Sequence, residues 1–271
     1  MTRRPAKWPR AIMRMLWREL LPYACALLIW QALSSLNLWP KVLFPSPLDV
    51  FAAFRDDLVS GVLLTNLAVS LGSLGLGLLV GVGTALPLSY LMGLNRASRD
   101  FFDPLINLVQ AIPGLAWIPF AILWFGLGKG AVTFIVAMSV FFPVLQNVLS
   151  AIGQVHPVLI EATQTLGANR WAVVRHVIFP ATLPNLMTGM RLGIAFGFRA
   201  LIGGEMIAGT EGIGYAIYNA EQYFQSARIV VGMLTIGFTW LLVDRLLLRP
   251  IETRTVKRWG LVRDTMGASP A

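Results

Sequence analysis

Apolar residues along this chain gather into long runs, and polar residues collect in the short breaks between them. The runs cover residues 21–39, 62–92, 104–125, 130–150, 186–208 and 227–247. At 1.5 Å of rise per residue, a helix of about 20 residues crosses a hydrocarbon core of about 30 Å. The pattern therefore predicts an all-α membrane protein with six main transmembrane helices. Glycines recur inside the runs: Gly72, Gly75, Gly77, Gly81 and Gly83 in the second, and Gly189, Gly193 and Gly197 at intervals of four in the fifth. Such spacing lets helix backbones approach closely, either within one subunit or between two. Pro113 and Pro119 in the third run and Pro143 in the fourth predict kinks, tolerated where neighbours or a water-filled route satisfy the freed carbonyls.

Two breaks carry structure of their own. In FPSPLDVFAAFRDDL (44–58), Ser46 and Asp49 make a capping-box pattern with Pro47 at the first helical position. Phe51, Phe54 and Leu58 then share a face, which predicts a short amphipathic helix at the outer membrane surface, with an ordinary loop helix as the alternative. The longer break, EATQTLGANRWAVVRHVIFP (161–180), is a polar island between two apolar runs. Pro157 suits a helix start, Leu159, Ala162 and Leu166 recur at helical spacing, and Gly167 can take the positive φ that closes a helix. Asn169 is placed to cap a second short helix, Arg170 to Ile178, with Trp171, Val174 and Ile178 on one face. Pro180 and Pro184 are expected to end it before the fifth span. This island is read either as a docking element or as a plain loop of two short helices.

Charge sets the orientation. Of the 22 Lys and Arg residues, the six-span reading puts 17 on the side of the two chain ends and of the island, four in the opposite loops, and Arg199 inside the membrane. The positive-inside rule then places both termini in the cytoplasm. Residues 1–20 form a basic N-terminal segment, 21–61 the first span with the outer amphipathic segment, 62–248 the core with the island at 151–185, and 249–271 a basic tail. The first apolar run resembles a signal peptide only in its basic flank; it is long and lacks a small-x-small cleavage site, so an uncleaved helix is expected. Of the residues, 56% are hydrophobic and 13% charged, half the charged fraction of an ordinary soluble domain at about 25%. The net charge of +9 sits at the ends and in loops, which fits membrane flanks rather than nucleic acid. The single cysteine, Cys25, excludes an internal disulfide.

The island also carries a family resemblance. It resembles the EAA loop of bacterial ABC importer permeases, with pattern Glu-Ala-Ala, three residues, Gly, nine residues, Ile, one residue, Leu-Pro. Glu161, Ala162, Gly167 and Pro180 match, whereas Thr163, Val177 and Phe179 replace Ala, Ile and Leu. The likeness continues in LFPSP (43–47), DPLINLVQAIPGLAWIPFAILWFGLG (103–128) and FFP (141–143), and together these resemble the permeases of nitrate, sulfonate and taurine importers. The resemblance implies a type I ABC importer (MetI-like) permease fold in the bacterial inner membrane. It also implies a homodimer with cytoplasmic ATP-binding subunits and an external solute-binding protein, and a small anionic solute. Glu161, Ala162, Thr163, Gly167 and Pro180 then become ATPase-coupling residues.

Chemistry inside the spans is sparse. Arg199 and Glu205 are charged, and intramembrane charges are functional candidates by default; with Gln110 they are the candidates for a translocation path or gate. Six residues apart on a helix, Arg199 and Glu205 point in different directions, so Glu205 is a partner for Arg199 only across the two-fold axis of a dimer. A purely structural ion pair is the alternative. No GxxxxGK[ST], HExxH or GxSxG motif is present, and His156 and His176 flank the island, so no catalytic residue, metal site or cofactor is expected and ATP hydrolysis falls to a separate subunit. The competing function is a secondary transporter driven by an ion gradient, whose usual mark, paired inverted repeats, is not visible. A structural membrane anchor, the third possibility, has no need of Arg199 and Glu205.

Overall fold

A computed structural model describes residues 8–36, 38–248 and 250. Every regular element among them is a helix. Four helices are long and apolar enough to cross a membrane: Val62–Leu94, Lys129–Gly153, Arg170–Ala208 and Ser226–Leu246. A fifth span exists if the bent pair Arg96–Gln110 and Gly114–Phe125 is counted as one, and Leu21–Ser35 is a shorter apolar helical stretch. The N-terminal basic segment and the basic tail beyond residue 250 lie outside the residues whose side chains are described.

The chain divides into two compact units. The first comprises the described residues of Met1–Val62 with Ile217–Met233. It holds helices α1 (Trp8–Ser35) and α2 (Pro47–Val59). The expected capping box opens α2: the Ser46 Oγ accepts from Asp49 N at 3.1 Å, and the Ser46 N–H donates to Asp49 Oδ2 at 3.1 Å. The Ser46 hydroxyl also donates to that carboxylate at 2.7 Å, and these bonds hold the Asp49 carboxyl below its usual range. Phe51, Phe54 and Leu58 are all exposed on α2. The Trp30 indole donates to the Pro45 carbonyl at 3.0 Å, Asp57 pairs with Arg228 at 3.1 Å, and Ser226 donates to Val42 O.

The second unit, Leu63–Ala216 with Leu234–Ala271, contains the main core. Its helices are α3 (Val62–Leu94), α4 (Arg96–Gln110), α5 (Ile118–Phe125, after a 3-10 turn at Gly114–Trp117) and α6 (Lys129–Gly153). They are followed by α7 (Pro157–Thr165), α8 (Arg170–Val173), α9 (Phe179–Ala208), α10 (Ile213–Gln222) and α11 (Ser226–Val243), the ends of α3, α10 and α11 falling in the first unit. α6 is the hub, with Val136, Val140, Val144, Leu145 and Val148 fully buried. Lipid tails are as apolar as these side chains, so what holds them is close packing rather than expulsion of water. Glycines supply the approach. A Cβ at Gly81 would lie 2.7 Å from the Ala137 carbonyl, one at Gly77 would overlap Val136, and one at Gly189 would lie 2.9 Å from Asn147 Cβ. Gly77 and Gly81 of the second run and Gly189, Gly193 and Gly197 of the fifth thus serve packing within one subunit, whereas Gly72, Gly75 and Gly83 meet nothing within 4 Å.

Two expectations are corrected. The third span does not start at residue 104: Asn95 caps the helix earlier, its Oδ1 accepting from Ala97 N at 3.0 Å, and Pro104 sits inside α4 on an exposed face. Nor does it continue to residue 125, because the chain breaks at Ala111–Pro113 and turns by 92°. Pro113 disfavours helical geometry at Ile112 and supplies no N–H, so the run breaks rather than kinks. The second correction concerns Pro180 and Pro184, which do not end a helix. Helix Arg170–Ala208 runs through both, with a π turn at Val174–Ile178 in which Phe179 N donates to Val174 O. The wider turn shifts the hydrogen-bond register just before Pro180, where a donor would otherwise be missing.

The packing of α3 on α6 predicts a contrast between two neighbouring glycines. Gly81→Ala must displace backbone and is expected to destabilise the protein by about 1–3 kcal/mol, whereas Gly83→Ala meets nothing within 4 Å and gains helix propensity. Thermal unfolding of the two purified variants in one detergent checks this; equal midpoints contradict it.

Candidate coupling loop and membrane site

The polar island folds locally as its residues direct. Pro157 occupies the first turn of α7, and the helix closes in a Schellman motif: Gly167 N donates to Gln164 O at 2.9 Å and Ala168 N to Thr163 O at 3.2 Å, with Gly167 at φ +90°. Asn169 then caps the next helix, its Oδ1 accepting from Ala172 N at 2.8 Å. Thr163 and Thr165 return their hydroxyls to Leu159 O and Glu161 O, at 2.6 and 2.8 Å. These bonds fix the turn between the two helices at one glycine.

What this element leaves uncovered is informative. Glu161 is exposed and makes no ion pair among the described residues. Leu166 is 89% exposed, and Val158 and Trp171 are each 69% exposed. One side of the island is covered: Val173 and Ile178 are buried, and Ile160, Ala168, Val174 and Val177 are partly buried against the core. His156 and His176 are both exposed, His176 Nδ1 lying 2.9 Å from the Ala172 carbonyl oxygen.

Inside the spans the three polar candidates separate. Glu205 is 1% exposed, and its Oε2 accepts from Ser70 Oγ at 2.9 Å and from Gly214 N at 2.8 Å. Ser70 Oγ in turn accepts from Ile213 N at 2.9 Å, and Asn66 Oδ1 accepts from Gly212 N at 3.0 Å. This is a latch that fixes the turn after α9 onto α3. Gly212, at φ +110°, and Gly214 leave no room for a Cβ beside the carboxylate. The arrangement leaves Glu205 no surface for an ion pair with a second copy, which corrects that expectation. Sequence reasoning missed Ser70, Asn66, Gly212 and Gly214; the signal was a Gly-x-Gly pair shortly after an intramembrane acid.

Arg199 is exposed, with its guanidinium 5.9 Å from the Phe196 ring centroid and no ion pair among the described residues. It lies one turn before Gly203, where a Cβ would meet Leu115 at 2.7 Å, so it occupies the flank of α9 nearest the broken span. Gln110 ends α4, donating to Asn107 Oδ1 and accepting from Gln146 Nε2, both at 3.2 Å. The structure does not bring Arg199, Glu205 and Gln110 together in one cluster.

Long apolar helices packed around α6, with an exposed polar island between α6 and α9, make a helical membrane core. Residues 74–247 match the family described as binding-protein-dependent transport system inner membrane component, and the chain belongs to that family. It is 30% identical to the taurine transport system permease TauC of Escherichia coli K12 over 96% of both chains. It is 32% identical to the putative aliphatic sulfonates permease SsuC of Bacillus subtilis, over 84% of this chain and 85% of that one. The riboflavin permease RibX of Chloroflexus aurantiacus is 34% identical, over 89% of this chain and 93% of its own. Inward-facing structures of the methionine ABC transporter MetNI share the fold, with a TM-score of 0.57 at 18% identity over 72% of this chain and 98% of that one. The chain is a permease component, which works with a solute-binding protein and ATP-hydrolysing subunits.

The latch predicts graded losses. Glu205→Leu leaves two buried donors without their acceptor and is expected to cost about 1–3 kcal/mol, and Glu205→Gln, which keeps one acceptor oxygen, less. Thermal unfolding midpoints in the order wild type, Gln, Leu check it; a Leu variant as stable as wild type contradicts it.

Proposed function

We propose that this chain is one half of a homodimeric permease in a bacterial inner membrane, importing a small anionic solute such as taurine or another sulfonate. The observation that carries this reading is the uncovered lever between α6 and α9. A membrane protein leaves Leu166 and Trp171 bare, beside an unpaired Glu161, where another protein docks. Glu161 meets a basic residue of the ATP-binding subunit, Ala162 and Thr163 follow it along the docked helix, and Gly167 forms the docked turn. Pro180, next to the π turn, marks the joint through which movement of the lever reaches α9.

Both termini and residues 151–185 face the cytoplasm, a reading supported by the charge distribution. Arg199 attracts the anion toward the broken span, and its bare flank supports that role. Gln110 lines the route, and Glu205 acts on the outer gate by holding the turn after α9. The sulfonate class rests on the taurine and sulfonate relatives; the riboflavin relative, at similar identity, shows how widely this family varies its cargo.

Glu161→Lys and Gly167→Val test the lever. Each is expected to leave the permease in the membrane at its normal amount while uptake falls at least tenfold and ATP hydrolysis no longer responds to the loaded binding protein. Normal uptake in both variants overturns the docking role.

A further inference from the structure

The broken span raises a question that the latch and the lever do not answer. A Cβ at Gly114 would lie 2.7 Å from Ser139 Oγ, and Ser139 stands near the middle of α6, so the break at Ala111–Pro113 lies level with the centre of a membrane-spanning helix. Gln110, Ala111, Ile112 and Pro113 are all exposed. Irregular backbone at that depth is not stable against lipid; it persists where protein buries it or where it borders water.

The polar side chains beside the break share one face of α4. On α4, Asp103, Asn107 and Gln110 follow each other at helical spacing and are hydrogen-bonded in series, Gln110 to Asn107 at 3.2 Å and Asn107 to Asp103 at 3.3 Å. Gln146 on α6 donates to Gln110 at 3.2 Å and joins the series to a polar row formed by Ser139, Gln146 and Ser150. Asn107, Gln110 and Ser150 are exposed, and Gln146 and Ser139 are half-buried. On the opposite side of the same bend, α5 exposes Phe120, Leu123 and Trp124. α4 itself is two-faced: Phe101, Leu105 and Leu108 are exposed on one side of it and Asp103, Asn107 and Gln110 lie on the other, as expected if one side meets lipid and the other does not.

We propose that the row Asn107, Gln110 and Gln146, below the break, lines the aqueous route of the solute through the cytoplasmic half of the membrane. This deepens the transport reading and rests on it. Amides carry donors and acceptors but no net charge. They can donate N–H groups to the oxygens of a sulfonate-like head without holding it as a fixed cation would, so the solute is passed on rather than trapped. Arg199 supplies the attraction on the outer side of the break, the amides supply neutral rungs below it, and Asp103 places a carboxylate at the exit that disfavours an anion lingering there. A second copy of this chain is the other possible cover for the row. Interface centres are depleted in charged groups and rich in aromatic ones, and this row has a carboxylate and amides instead, which favours water.

The test uses the assembled complex in lipid nanodiscs, in a Cys25→Ser background, with single cysteines at 107, 146 and, as a lipid-facing control, 123. The probe is 2-sulfonatoethyl methanethiosulfonate, a membrane-impermeant sulfonate. Modification at 107 and 146 is expected to be at least tenfold faster than at 123, and Gln146→Leu is expected to lower uptake at least tenfold with the assembled amount and ATP hydrolysis retained. Labelling at 107 and 146 as slow as at 123, or a disulfide between two copies at 146 on mild oxidation, overturns the proposal. If the unsubstituted complex transports while both positions stay inert, only this inference fails; if it transports nothing with ATP, the transport reading itself fails.

Discussion

The rest of the structure depends on how closely α9 and α3 approach α6. Gly189, Gly193 and Gly197 lie against Asn147, Val144 and Val140, and Gly77 and Gly81 against Val136 and Val140, so one row of valines on α6 is gripped from two sides. In lipid, where apolar side chains gain little by meeting each other, such contact is the main source of cohesion, and it needs backbones near enough for dispersion to accumulate. The grip has a mechanical consequence. α9 is the inner part of a continuous helix from Arg170 to Ala208, so a force applied at the island is delivered to the centre of the core rather than absorbed in a loop.

The polar groups inside the spans follow the same logic in reverse. A buried carboxyl at Glu205 is costly unless bonded; its Oε2 accepts from two donors of its own chain, which clamps the turn after α9, while its Oε1 has no partner among the described residues. Arg199 and the amides beside the broken span have no such burial. Their exposure on a membrane-embedded surface is what makes them candidates for transport, since a structural role would have drawn them inward.

Much of this was legible in the sequence where the signal was local. The Ser46 capping box, the Gly167 turn and the Asn169 cap depend on residues within three or four positions of each other, and all three form with the residues expected. The apolar runs at 62–92, 130–150 and 227–247 likewise correspond to α3, α6 and α11. Proline was the ambiguous letter. Pro113 breaks its run, whereas Pro180 and Pro184 are absorbed into a helix, and the difference lies in a π turn that no spacing rule announces. The Glu205 latch was illegible for another reason: Ser70 and Glu205 are 135 residues apart, and only the packed core shows that they meet. For the same reason the direction of Arg199 relative to Glu205 was readable from helical periodicity, but the partner of Glu205 was not.

The central claim is that this permease moves its solute by force borrowed from ATP through the lever after α6. The direct measurement is uptake of radiolabelled taurine into proteoliposomes containing the permease with its ATP-binding subunit, the binding protein outside and ATP sealed inside. Uptake that requires the enclosed ATP and is unchanged when ionophores collapse every ion gradient is the predicted result. Uptake that proceeds without ATP and stops when an ion gradient is collapsed would contradict the account.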